Sequence, residues 1–190
     1  MPVFARAAAA GARAGLGSDI QANNSPDMFT QMRLAMHTVT AAAHQHDLET
    51  RGTGALERPA VDPATVFHHV TLGGAQAIGL GDRVGSLEVG KAADVVVLRL
   101  SSLWHLPVID PMATIVQHAS ARDVETVLVG GDVVKRNGVL PNAHTQEASK
   151  LMGAAWERLD AQVAARGGVR PELPDGLWDQ VVGAVNTNMA

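Results

Sequence analysis

The sequence predicts a mixed α/β fold, and three patterns carry that expectation: a helix-turn-strand unit at its start, apolar stripes of helical period, and a glycine-punctuated region of β-branched runs. Val3 to Ala10 are strong helix formers that stop at Gly11, and Ala12 to Leu16 then read as a short buried strand. Gly17-Ser18-Asp19 and the polar run Gln21-Ala22-Asn23-Asn24 make a loop. Ser25-Pro26-Asp27 opens the next helix, with the Ser25 hydroxyl as N-cap, proline at the first helical position and an acid facing the positive dipole end. Met28, Met32, Ala35, Met36, Val39 and Ala43 recur at three- and four-residue intervals and define its buried face.

Thr50 to Pro59 lack periodicity and read as a mobile loop. Asp62-Pro63 restarts a helix through Phe67 and Val70, and Thr71 is expected to cap a further helical segment in which Gly73-Gly74 permit close packing or a bend. Composition shifts at Gly79. Ala93 to Leu100 is expected to be a strand buried on both faces. Val124 to Val129 and Asp132 to Lys135 flank Gly130-Gly131 as a tight hairpin, with another turn at Asn137-Gly138. From Thr145, residues Ala148, Leu151, Met152, Ala155, Trp156, Leu159 and Val163 form one helical face that ends at Gly167-Gly168. The tail after Arg170, with apolar Leu177, Trp178, Val181 and Val182, reads as peripheral.

Composition excludes several function classes. The 190 residues carry a formal charge of −4 with no Lys/Arg run and 3% aromatic residues, so neither a phosphate footprint nor a base-stacking platform is expected, and no nucleic-acid partner is expected. No apolar stretch reaches membrane-spanning length, and Arg6 interrupts the first apolar run, so Met1 to Gly17 reads as folded sequence rather than a leader and no membrane association is expected. Cysteine is absent, which removes disulfides and thiolate metal sites and suits a cytoplasmic location.

The string from Gly79 to Leu98, GLGDRVGSLEVGKAADVVVL, closely resembles a signature of the amidohydrolase superfamily. Leu16-Gly17-Ser18-Asp19, followed by Asn24 and by Asp27 to Arg33, resembles the end of the eighth barrel strand and the helix after it in the same superfamily; the nearest subgroup is the cytosine-deaminase-like and chlorohydrolase-like one. The resemblance implies the C-terminal part of a (β/α)8 metal-dependent hydrolase barrel over residues 1–78, part of a small β-sandwich over 79–141, and a C-terminal helix and tail over 142–190 that pack back on the barrel. It further implies a hydrolase acting on non-peptide C–N or C–Cl bonds, most naturally the deamination of a heterocyclic small molecule, with zinc or iron as its divalent metal.

Asp19 matches the superfamily's strand-eight aspartate, which shuttles a proton beside the metal and is a possible ligand to it. Without the resemblance, an Asp at a strand-to-loop junction is ordinarily a turn or capping residue. Asn23 and Asn24 are in reach of a substrate at the barrel mouth, although Asn in a polar loop is usually a turn former. The superfamily's other metal ligands should precede Asp19, yet the eighteen residues before it contain no His. The chain is therefore expected to be a fragment, the product of a mis-assigned start or one half of a split enzyme, inactive and metal-free alone.

His44-x-His46 is no substitute, since positions i and i+2 diverge at a helix end; adjacent His68 and His69 diverge likewise, and His105 and His118 read as structural or interfacial. Gly85 and Gly90 are expected in tight turns, Lys91 in solvent, and Asp94 as a cap or a hydrogen-bond partner of a neighbouring loop at the strand start. The alternative to an enzyme is a non-catalytic module that packs independently or dimerises over an exposed strand edge; a third reading is one half of a split enzyme, completed by a separate N-terminal half.

Overall fold

A computed structural model describes residues 3–20, 24–168, 175–177 and 179, in two units, Met1–Leu140 and Pro141–Ala190. The first unit contains helices α1 (Val3–Ala9), α2 (Met28–Arg51), α3 (Pro63–Val70), α4 (Leu72–Ala77) and α5 (Pro111–Gln117). Strands β1 (Val95–Leu98), β2 (Val124–Val129) and β3 (Asp132–Lys135) form one antiparallel sheet in the order β1-β2-β3. The second unit holds α6 (Asn142–Ala165). The mixed α/β expectation is met. Among the described residues no helix is long and apolar enough to cross a membrane.

The core lies where α2, α3 and α5 meet. Val66 and Val116 are 0% exposed and pack with Met32 and Ala35, while Leu16, Phe29 and Phe67 close the rim. Removing one such valine from water stabilises by about 1.5–3 kcal/mol, so these few contacts are the main adhesive of a thin core. The stripe read from the sequence is this face: Met32, Ala35 and Val39 are buried, and Met28, Met36 and Ala43 half-buried. Arg33 reaches the segment just after α5, donating through Nη1 to the Ala119 carbonyl at 2.7 Å.

Helix starts and stops follow capping chemistry, with corrections to the sequence reading. The N-cap of α2 is Asp27 rather than Ser25, because the carboxylate accepts from the Thr30 N–H at 2.8 Å and from the Thr30 hydroxyl at 2.7 Å, while Ser25 only donates to it. The 50–59 stretch is not a free loop. Helix α2 runs to Arg51 and stops at Gly52 in the left-handed region (φ 73°), and the buried Asp47 carboxylate then gathers the Arg51 guanidinium, the Thr53 hydroxyl and the Ala55 N–H. Asp62 caps α3 as expected, but the Thr71 hydroxyl does not cap α4; it turns back and donates to the Phe67 carbonyl at 2.9 Å.

The expected strand at Ala12 to Leu16 does not form. Residues 12–20 carry no regular structure and are at most half-buried, because a strand needs a neighbour to complete its ladder and none of the described residues supplies one. The other strand reading is shortened: the run expected over Ala93 to Leu100 pairs only over Val95–Leu98, and Val96 (57% exposed) and Val97 lie open on opposite faces instead of buried on both. The hairpin stands where its residues placed it. Gly130 and Gly131 (φ 58° and 95°) connect β2 to β3, and Asn137-Gly138 (φ 51° and 78°) make a second turn closed by reciprocal bonds between Arg136 and Val139. Of the two roles expected for Asp94, it takes the bond to a neighbouring loop, accepting from the Gly130 N–H at 2.7 Å.

The GSLEVGK segment is a structural knot. Gly85 (φ 94°) lies so close to α4 that a Cβ would come within 2.8 Å of Ala75 Cβ and 2.9 Å of Leu72 Cα. Lys91 is not solvated: only 11% exposed, it donates to the Gly81 carbonyl at 2.7 Å, the Ser86 hydroxyl at 2.6 Å and Glu88 at 3.1 Å. Three acceptors satisfy the three ammonium donors, a closure that residue type alone does not reveal. The Ser86 hydroxyl, and after it Lys91, hold the Glu88 carboxyl below the usual carboxylate range.

Helix α6 begins at Asn142, earlier than the expected Thr145, and ends at Gly167-Gly168 as expected. Gly168 N–H donates to the Val163 carbonyl and Gly167 N–H to the Ala164 carbonyl, the paired bonds of a Schellman motif. Its apolar residues Leu151, Met152, Trp156 (61% exposed) and Leu159 are all exposed. Of the tail, Trp178, Val181 and Val182 lie outside the described residues.

Gly85→Ala should lower stability by about 1–3 kcal/mol more than Gly90→Ala, because both glycines have positive φ but only the first is crowded; urea unfolding of the two variants checks this. Acid should also weaken the fold. Burial alone would raise the Asp27 carboxyl, but hydrogen bonds from Ser25 and Thr30 and the charge of Arg33 outweigh it and lower its pKa; the Thr53 hydroxyl, followed by Arg51 and the Ala55 N–H against the opposing effect of burial, does the same for Asp47. Carboxyls lowered in the folded state contribute stability in full above the ordinary carboxylate value of about 4, and that contribution is lost as pH falls below it through their native values. Unfolding followed from pH 6 downward should show the decline near pH 4, and Asp47→Asn should flatten it.

Candidate functional site

Segment 12–20 carries Asp19, and helix α3 holds it in place. Leu16 packs against the helical core and its N–H donates to the His69 carbonyl at 3.2 Å, near the helix end where carbonyls are free of intrahelical bonds. The His69 imidazole lies with Nδ1 2.6 Å from the Ala14 carbonyl oxygen; an acceptor-only partner requires that Nδ1 bear the proton. Between these bonds Gly15 meets Gly74 so closely that a Cβ on Gly15 would stand 3.0 Å from Gly74 Cα, which is the close packing expected of Gly73-Gly74.

Asp19 follows at φ 54°, a left-handed conformation that Asp adopts more readily than most residues. Its side chain is exposed, and among the described residues no hydrogen bond or ion pair engages it. Asn24 is half-buried, and its N–H donates to the Ile20 carbonyl at 3.1 Å, closing the loop behind Asp19. Asn23 lies outside the described residues. Beyond the loop, Gln31 Nε2 donates to the Ser25 carbonyl at 3.0 Å, so both ends of the Asp19 loop are tied to helices.

Among the described residues the histidines do not converge with other donors on one point. His44 and His46 are exposed near the end of α2, and His44 Nδ1 is spent on the Gly54 carbonyl at 2.7 Å. His68 and His69, expected to diverge, instead bring their rings edge to face with centroids 5.6 Å apart, so adjacent helical positions still let the two imidazoles touch. His105 is buried and structural: Ser102 Oγ lies 2.8 Å from Nδ1 and Asp123 Oδ2 lies 3.4 Å from Nε2, with Asp123 itself fixed by the Ser120 N–H. His118 is exposed at the C-terminal end of α5. Among the described residues no three His, Asp or Glu side chains converge, so these residues alone do not fit a divalent metal. Asp123 was missed by sequence reasoning, although Ser120-x-x-Asp123 has the spacing of the capping box that it makes. His69 left no sequence signal, because its partner is 55 positions away.

The sequence pattern of the amidohydrolase family matches residues 1–134. The chain belongs to that family. An S-triazine hydrolase of Gordonia rubripertincta is 34% identical over 159 residues, covering 83% of this chain and 31% of the relative. A 5-methylthioadenosine/S-adenosylhomocysteine deaminase of Desulforudis audaxviator is 41% identical over 133 residues, covering 69% of this chain and 28% of the relative. A crystal structure of an adenosine deaminase from Xanthomonas campestris with bound zinc superposes with a TM-score of 0.65 at 33% identity, over 80% of this chain and 31% of that one. The chain thus spans about a third of the length of these amidohydrolase relatives.

The left-handed backbone at Asp19 has a measurable consequence. Asp19→Ala should be less stable than Asp19→Gly by about 1 kcal/mol, since only glycine occupies φ 54° without a Cβ penalty; thermal unfolding of the pair checks the backbone geometry independently of any chemistry.

Proposed function

We propose that this chain supplies Asp19, as the proton-carrying carboxylate, to a hydrolase that cleaves non-peptide C–N bonds, or C–Cl bonds, of a heterocyclic small molecule, with deamination as the leading reaction. The observation that carries the reading is an exposed, unpaired carboxylate at the tip of a segment tied at both ends to helices, in a chain whose relatives are named as deaminases and a triazine hydrolase. In hydrolytic deamination, water oxygen bonds to the ring carbon, a carboxylate accepts the water proton and returns it to the departing nitrogen, and the C–N bond breaks to release ammonia. Residues 12–16 would occupy the place of the last strand of a (β/α)8 barrel and β1 to β3 that of a small β-sandwich, which puts Asp19 at the strand end where such barrels collect their reacting groups. Asn24, beside the same loop, would contact the substrate.

This reading makes the 190-residue chain inactive alone and unable to bind zinc or iron tightly, because it lacks converging donors among the described residues. Mixed with the part of the S-triazine hydrolase that it does not match, it should restore amino- or chlorotriazine hydrolysis, and Asp19→Asn should reduce that rate by about 10²–10⁴-fold. Turnover by the chain alone, or an Asp19→Asn mixture as fast as the parent, would overturn the proposal. A second reading is a self-associating module, favoured by the exposed apolar residues of α6 and the open valines of β1. Sedimentation of the pure chain decides it: a discrete dimer that Trp156→Glu dissolves supports association through α6, and a monomer rules it out.

A further inference from the structure

We propose that His69 is a positioning residue for Asp19, with its imidazole making the hydrogen bond that a β-strand neighbour would make, a neighbour that none of the described residues supplies. In a parallel ladder, one residue of a strand accepts from the N–H that follows the residue opposite it and donates its own N–H to the carbonyl that precedes that residue. His69 reproduces this around Gly15: its carbonyl accepts from Leu16 N–H at 3.2 Å, and Nδ1–H replaces a backbone donor, reaching the Ala14 carbonyl at 2.6 Å. The substitution is needed because a residue in the last turn of α3 has its own N–H turned along the helix axis, whereas a side chain reaches sideways. Gly15 must lack a Cβ for this approach, since Gly74 Cα would lie 3.0 Å from it. Three residues beyond Leu16, whose side chain rests on the core, the chain enters the left-handed turn at Asp19. A strained conformation persists only where its surroundings over-determine it, and the His69 bridge is the upstream restraint.

The inference rests on the assignment of Asp19 made above, and its test separates the two. In the full chain, amide hydrogen exchange at Leu16 should speed up roughly five- to tenfold in His69→Ala, while the amides of β2 and β3 keep their parent rates. His69→Asn, whose amide nitrogen sits where Nδ1 does, should restore slow exchange, and His69→Gln, which donates one atom further out, should not. Gly15→Ala, which pushes the segment off Gly74 with His69 intact, should loosen Leu16 as well and serves if His69→Ala does not fold. Unchanged Leu16 exchange in both His69→Ala and Gly15→Ala, or acceleration spread evenly over the sheet, overturns the proposal. In the reconstituted mixture, His69→Ala should lower kcat more than it raises KM, with rescue by Asn. If Leu16 loosens while Asp19→Asn keeps full turnover, the bridge stands and the role of Asp19 falls. If Asp19→Asn is dead while His69→Ala retains both slow exchange and full turnover, this inference falls alone.

Discussion

The helical part of the first unit is organised around α3, because this short helix is used on more than one side. Its inner face places Val66 at the fully buried junction with α2 and α5, its last turn holds residues 14–16, and the α4 that follows it receives the Gly85 turn. A helix of eight residues has little stability of its own, so its form depends on the Asp62 cap, on Pro63 at its start and on the burial of Val66. The core it anchors is small, with Met32, Ala35, Val66 and Val116 as its buried cluster. The Asp19 loop, carried by the same helix, is coupled to that core through packing and hydrogen bonds rather than through a sheet.

Polar closure compensates where apolar burial is thin. Asp47 draws three groups onto one buried carboxylate to shut the turn after α2, Lys91 spends its donors on the GSLEVGK turn, and His105 and Asp123 join the segment before α5 to the 3-10 turn before β2. Each site is satisfied, which matters because a buried polar group without a partner costs more than the same group paired contributes. The motif that identified the family is of this kind. Its glycines and lysine make a turn that sits on α4, so its distinctiveness in sequence reflects steric and hydrogen-bonding demands of folding, and none of its residues contributes to the candidate site.

Local physics was legible and long-range pairing was not. The β2–β3 hairpin was readable because Gly130-Gly131 and Asn137-Gly138 are among the few dipeptides that accept two consecutive positive φ values, and the α2 stripe because helical period repeats within its own residues. Ser25 was read as the cap and Asp27 only as an acid at the positive helix end; which one closes the helix depends on where the first turn begins, and the carboxylate with more donors in reach decides that. The burial of Lys91 was hidden because a lysine's surroundings are set by how a turn closes over it. Ala12 to Leu16 has strand composition without a strand partner, and composition cannot report the partner.

By itself the sequence determined the family and the identity of the candidate residue, since Asp19 and the GSLEVGK-AD string are recognised in one dimension at fixed spacing. It also determined the α2 stripe, the Asp62 start of α3 and the turns at Gly130-Gly131 and Asn137-Gly138, all of which are settled by residues within a few positions of one another. Only the tertiary structure decided that Asp19 stands in a left-handed turn, that residues 12–16 remain unpaired as a strand, and that a histidine 55 positions away from Ala14 holds their place. The reason is geometric: a hydrogen bond or a glycine contact across that separation depends on how helices cross, and the crossing is fixed by packing that no local pattern encodes.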